Sequence, residues 1–138
     1  MTEATRARAI EILNSPTCQW TIEGAKYAIG QEQKSIEFWK KNSIGLMQED
    51  RIKHAESNIE FYQAIISILM EREAEQEAME SISSCYAEVP CRFVRKIVAV
   101  MANKLRKTGL SLSSAFKRAW EFVKFCVTHK HLVEKIVI

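Results

Sequence analysis

Basic side chains at helical spacing are the residues of this sequence best placed to do chemistry, and that chemistry is the binding of phosphate groups. The cations concerned are Arg92, Arg95, Lys96, Arg106, Lys107, Lys117, Arg118 and Lys124. Between residues 92 and 107 four polar residues recur at intervals of 4, 7 and 4, which places them on one side of an α-helix. They are Arg92, Lys96, Asn103 and Lys107. A row of cations can neutralise successive phosphates of RNA or DNA and release their counterions.

The net charge of +3 is divided unevenly along the chain. Residues 1–88 contain 9 Lys and Arg against 15 Asp and Glu, a net charge of −6, whereas residues 89–138 contain 11 against 2, a net charge of +9. Such a basic half favours a surface for nucleic acid or ribonucleoprotein. Two alternatives stay open: a solvated face of a helical pair, or a surface that docks the chain's own acidic segment, residues 71–80, which has five glutamates.

Other reactive side chains do not form a recognisable site. Cys85, Cys91, Cys126, His129 and His131 could gather into a zinc site, but the spacings Cys-x5-Cys and Cys-x2-His match no standard pattern. No phosphate-binding glycine loop is present, and no base is evidently held beside a nucleophile. We therefore expect a non-enzyme without a cofactor or metal, whose four cysteines are free and mostly buried.

The scarcity of turn residues, four Gly and two Pro, indicates that long helices carry these side chains, and we predict an all-α fold. Apolar periodicity predicts helices over residues 3–13, 21–41, 47–81, 90–107 and 112–128. The second and third of these are joined by a short break and are expected to form a long antiparallel hairpin. We predict an acidic N-terminal part, residues 1–88, and a basic helical pair, residues 89–138, either separate or within one compact domain.

The basic pair carries clear signals at its turn. Gly109 suits the position after a helix, and Ser111 can cap the next one. The side chains expected to point inward from that next helix are Leu112, Ala115, Phe116, Ala119, Trp120, Val123 and Val127. Trp20, Trp39 and Trp120 are expected in the core rather than as stacking platforms. The apolar ending, residues 131–138, should continue the helix or pack as a short extended arm.

The same turn is also compatible with a helix-turn-helix motif. In that alternative the second helix of the pair would enter the major groove of DNA. Ser113, Ser114, Lys117 and Arg118 would then lie near the base edges. A regulator of this kind would need a dimer and a preferred duplex site.

A stretch of about 25 residues, 100–124, resembles a segment of small proteins from bacterial phages and mobile elements. The resemblance rests on the residues Ala102, Leu105, Gly109-Leu-Ser-Leu-Ser, Ala115, Lys117 and Ala119-Trp120; Ser114 stands where an acidic residue is usual. It implies a mobile-element origin. Such small proteins include inhibitors of host defence, of which anti-CRISPR proteins are the best-known class.

These observations together predict a non-enzymatic protein that engages RNA, DNA or a nucleoprotein through its basic helices. Its most concrete form is an inhibitor of a host RNA-guided defence nuclease. An alternative is an oligomeric interaction module, a homodimer formed through the broad apolar surface of the long third helix. The N-terminal segment is charged and the apolar stretches are short, so we expect no membrane association and a cytoplasmic location in a bacterial host.

Overall fold

The computed structural model describes residues 2–42, 47–85 and 89–137, and in these ranges the chain forms six α-helices and no strand. The helices are α1 (Glu3–Leu13), α2 (Ile22–Lys41), α3 (Met47–Ser83), α4 (Cys91–Arg106), α5 (Leu112–Thr128) and α6 (Lys130–Val137). The predicted all-α fold is confirmed. Part of the break predicted after α2 lies outside the described residues.

Packing divides the chain into two compact units, residues 1–69 and 70–138, so that α3 contributes its first part to one unit and its last part to the other. The division proposed from the sequence, at residue 88, follows the change in charge. The division by packing falls earlier because Ala74, Ala78 and Ile82 of α3 belong to the same core as α4 and α5.

In the first unit α2 and the first part of α3 run antiparallel, which confirms the predicted hairpin. Gln48 of α3 donates a hydrogen bond of 2.6 Å to the carbonyl of Trp39, near the end of α2. Farther along α3, the ring of Tyr62 lies 5.3 Å from that of Trp20, which precedes α2. Thr21 begins α2 by accepting a hydrogen bond from the backbone N–H of Gly24, as expected of an N-cap.

Small residues allow the three helices of the first unit to approach closely. Ala9 of α1, Ala25 of α2 and Ala64 of α3 are fully buried and share a core with Ile65 and Ile68. The rings of Phe61 and Tyr62, among others, pack around this core without being fully buried. The hydrophobic effect of this burial holds the hairpin and α1 together.

The second unit is built on the hairpin of α4 and α5. Gly109 adopts a φ of +103° in the turn between them, a conformation that side chains with a Cβ rarely adopt. Ser111 caps α5 by accepting a hydrogen bond of 3.3 Å from the N–H of Ser114. Both turn predictions are confirmed. The buried residues contributed by these two helices are Ile97, Val98, Met101, Ala102, Leu105, Ala115, Ala119, Val123 and Cys126.

The chain after α5 forms a separate helix, α6, after a change of backbone direction at His129. The ending is helical, as one of the two predicted alternatives had it, but His129 separates it from α5, so it does not continue that helix. Val133 is buried in the core of the second unit and Val137 packs against it, whereas Leu132 and Ile136 are exposed. The apolar ending is therefore covered on one face only.

Candidate nucleic-acid interface

The solvent-facing side of α4 carries five cations and no carboxylate. Its exposed cations are Arg92, Arg95, Lys96 and Arg106, followed by Lys107 at the C-cap. Ile97, Met101 and Leu105 lie on the opposite side of the helix and are buried. Residues 91–106 contain no Asp or Glu, and none of these five cations forms an ion pair within the described part of the chain. Five of the eight predicted site residues thus share one open face.

Helix α5 divides the other three predicted site residues between two sides. Lys117 and Lys124 are exposed, with Glu121 as the carboxylate nearest to them in sequence. Arg118 points instead toward α3, where its Nη2 lies 3.0 Å from Oε2 of Glu71 and 4.0 Å from Oε1 of Glu75. The fold therefore commits Arg118 to carboxylates of the same chain.

The acidic segment of α3, residues 71–80, packs one face against the rest of the second unit and exposes the other. Glu71 is buried, as are Ala74 and Ala78, and Arg118 pairs with Glu71, so the alternative in which the acidic segment docks on the basic part is correct for this face. Lys104 of α4 adds an ion pair with Glu77.

This docking changes the charge of the two parts of the molecule. Residues 1–69 carry 8 Lys and Arg against 9 Asp and Glu, a net charge of −1. Residues 70–138 carry 12 against 8, a net charge of +4. Much of the contrast between the −6 and +9 segments is therefore neutralised inside the second unit. The outer side of α4 keeps its positive charge because the ion pairs with α3 use Lys104 and Arg118.

Burial also affects two ionisable groups near this contact. The pKa of Glu75 is raised above its usual value, chiefly because burial disfavours the carboxylate; Arg118 opposes that effect and Glu71 adds to it. The pKa of the Cys126 thiol is raised by burial and then by the charge of Glu75. Neither shift prepares a nucleophile, since a raised thiol pKa lowers the thiolate fraction.

Three side chains of α5 that were expected in the core are exposed. Leu112, Phe116 and Trp120 expose 52%, 41% and 47% of their surface. The buried face of α5 is formed by Ala115, Ala119 and the residues that follow them by helical spacing. Each residue of an α-helix is rotated by about 100° from the one before it, so Phe116 lies beside the face that contains Ala115. Trp120, four residues later, is rotated about 40° farther from that face. Leu112 lies in the first turn, at the end of the helix.

Exposed Trp120 lies at a shallow groove between α4 and α5 that sequence reasoning missed. The groove has a volume of about 270 Å³ and is lined by Cys91, Val94, Arg95, Trp120, Lys124, Val127 and Thr128. Two of the predicted site residues, Arg95 and Lys124, thus border an aromatic ring and an apolar floor. The available signal in the sequence was the run Lys117, Trp120, Lys124, which alternates cations with an aromatic residue along one side of α5.

A larger groove of about 530 Å³ lies between the last part of α3 and α4. Its walls include Phe93, Val100 and Met101, but Glu77 and Glu80 face Lys96 across it. Carboxylates along one side make this groove a poor receptor for a polyanion. The basic face of α4 together with the Trp120 groove is therefore the better candidate, and we call these residues the basic interface.

The candidate metal ligands are not gathered. Within residues 2–42, 47–85 and 89–137 no group of three His, Cys, Asp or Glu side chains is arranged to hold a metal ion. The four cysteines are free thiols, of which Cys126 is buried, Cys18 and Cys85 are partly exposed and Cys91 is exposed. The expectation that most of them are buried is wrong.

The helices of the described ranges include none with the length and apolar character needed to cross a bilayer. Neither a protein-family model, nor a curated protein, nor a solved structure matches the chain. What the basic interface can do follows from its own residues.

The structure also bears on the two alternative interpretations, a helix-turn-helix motif and a dimer. In the helix-turn-helix interpretation four residues near the start of α5 approach base edges, yet Ser114 bonds to Ser111 and Arg118 is paired with Glu71. A dimer formed through α3 would need the apolar surface of that helix to be exposed, yet Ile65 and Ile68 lie in the core of the first unit. The geometry favours neither of them over the basic interface.

Proposed function

We propose that this chain is a non-enzymatic protein that binds nucleic acid, free or within a ribonucleoprotein, through the basic interface. The observation that carries the proposal is the outer face of α4, where five exposed cations stand without a carboxylate on the same helix. These cations could replace the counterions condensed on nucleic-acid phosphates, and the freed ions would supply much of the binding free energy.

The close packing of α4 on α5 supports this function. Leu105, Ala115 and Ala119 are fully buried between α4 and α5, so the two helices present their cations from a fixed scaffold. Ordering costs on binding then fall mainly on the exposed Lys and Arg side chains. The resemblance of residues 100–124 to mobile-element proteins makes an inhibitor of an RNA-guided defence nuclease the most concrete version of the proposal.

A triple substitution on α4 tests the binding function. We expect Arg92→Ala, Lys96→Ala and Lys107→Ala together to weaken binding to a mixed-sequence RNA or DNA. The negative slope of log K against log salt should become shallower by about two to three, close to one unit per lost phosphate contact. Fluorescence anisotropy at four salt concentrations measures both quantities.

The matched control removes three exposed cations from the first unit, by Lys26→Ala, Lys34→Ala and Lys53→Ala. It makes the same change in net charge and should leave the salt slope unchanged. Equal effects of the two triple variants, or binding that is insensitive to salt, would contradict a defined interface on α4.

The same pair of variants separates binding from inhibition. Added to a purified CRISPR nuclease with its guide RNA, the unaltered chain should slow cleavage of target DNA, and the α4 variant should slow it less. Nucleic-acid binding without any effect on cleavage would keep the binding function and remove the inhibitor version.

A further inference from the structure

Trp120 is an aromatic platform at the edge of a cationic surface. The side chain exposes 47% of its surface although α5 is otherwise packed by small residues, Ala115 and Ala119, against α4. No aromatic or cationic partner faces its ring among the described residues. An indole in this position offers a flat apolar face to a ligand from solvent.

The groove beside Trp120 combines that face with positive charge on both helices. Arg95 comes from α4 and Lys124 from α5, and the floor between them includes Val94 and Val127. Exposed Lys117 precedes Trp120 by three residues and Lys124 follows it by four, so both lie on the same side of α5. A ligand suited to this groove has a flat ring between negative charges.

The size and shape of the groove restrict the ligand further. A volume of about 270 Å³ in a shallow depression suits one ring system rather than a large cofactor. A base in a duplex is stacked on its neighbours and shows only its edge, whereas an unpaired base can turn its face to an aromatic side chain. The chemistry of the groove therefore matches a single strand.

We propose that this groove takes one unpaired base of a single-stranded nucleic acid, stacked on Trp120, with the flanking phosphates held by Arg95 and Lys124. This inference rests on the proposed nucleic-acid function and specifies its ligand. The cations on the rest of α4 extend the phosphate track beyond the groove and can contact the phosphates of single strands and of duplexes.

Binding of one oligonucleotide as a single strand and as a duplex tests this inference. We expect Trp120→Leu to weaken binding of a 12-nucleotide single strand by about 5- to 150-fold, the range found for loss of one stacked base. Duplex binding should change less than twofold, and Trp120→Phe should keep most of the single-strand affinity. Phe125→Leu is the matched control, because Phe125 is an exposed aromatic residue elsewhere on α5.

Alkylation of Cys91 gives a second measurement that does not depend on affinity. This exposed thiol lines the groove, whereas Cys18 lies in the first unit. Saturating single strand should slow the reaction of Cys91 with iodoacetamide and leave that of Cys18 unchanged, as followed by mass spectrometry. Circular dichroism of each variant checks that the helices are retained.

The outcomes distinguish the two proposals. If neither form of the oligonucleotide binds, the proposed function fails and this inference fails with it. If both forms bind with salt-dependent affinity but Trp120→Leu and Cys91 show no change, the proposed function stands and stacking in the groove is overturned. A preference for the duplex would overturn it as well.

Discussion

The ion pair between Glu71 and Arg118 gives each residue a partner that its sequence segment did not indicate. Each belongs to a segment that suggests a partner elsewhere, an acidic run for Glu71 and a basic helix for Arg118. They lie 3.0 Å apart, with Glu71 buried and Arg118 still partly exposed. A buried carboxylate requires such a partner, because an unpaired charge would be costly away from water. Arg118 therefore contributes to the packing of α3 on α5.

Glu75, one turn farther along α3, gives a prediction with a defined sign. Because its pKa is raised in the folded protein, ionising it costs more there than in the unfolded chain. Its favourable contribution to stability is complete at pH values below the ordinary pKa of a glutamate and is lost as the pH rises through the raised pKa. Glu75→Gln should therefore increase the free energy of unfolding at pH 7 relative to the unaltered chain, and change it little at pH 4.

Denaturation by urea at the two pH values measures this effect. Glu73→Gln, at an exposed position of the same helix, makes the same change in charge and serves as the control. A lower stability of Glu75→Gln than of the unaltered chain at pH 7 would mean that attraction to Arg118 outweighs the cost of burial.

The helices themselves follow local sequence closely. Thr21 and Ser111 cap α2 and α5, and Gly109 closes the turn after α4, because each uses interactions that reach only a few residues along the chain. The burial of α5 does not follow so simply. Apolar residues cover more than half of its circumference, and periodicity alone cannot decide which part of that arc faces α4.

Two glycine substitutions test the role of the α4–α5 turn. Gly109→Ala places a Cβ in open space but forces a side chain onto a backbone with φ of +103°, so we expect a loss of about 1–2 kcal/mol. Gly30→Ala also meets open space, but it lies within helical α2, where alanine should stabilise by about 0.5–1 kcal/mol. Thermal unfolding of both variants measures the difference, and unchanged stability of Gly109→Ala would show that the turn tolerates another conformation.

At the scale of the molecule, charge and packing divide the chain at different places. The charge changes sign near residue 88, whereas the boundary between the compact units lies within α3, between residues 69 and 70. The second unit consequently contains both the acidic segment and the basic helices, with a net charge of +4. The polyanion binding that we propose is thus assigned to one face, and the total charge of the unit understates the positive charge of that face.

Hydrogen exchange can place nucleic-acid binding on one of the units. With a saturating single strand, backbone amides of α4 and α5 should exchange more slowly, because contacts with the ligand oppose local opening of these helices. Amides of α1 and α2 should keep their rates. Mass spectrometry of peptic fragments measures both. Protection centred on α1 or α2 would place the interface in the first unit and contradict an interface on α4 and α5.

Local sequence patterns are enough to predict the all-α class, the antiparallel hairpin, the turn at Gly109 and the cationic row on α4. These features depend on periodicity, capping and backbone conformation, which act over one or two helical turns. Packing between helices, by contrast, sets the docking of the acidic segment on the basic helices, the pairing of Arg118 and the exposure of Trp120. Those outcomes depend on which helix faces meet, and burial selects among faces only when residues distant in sequence come together.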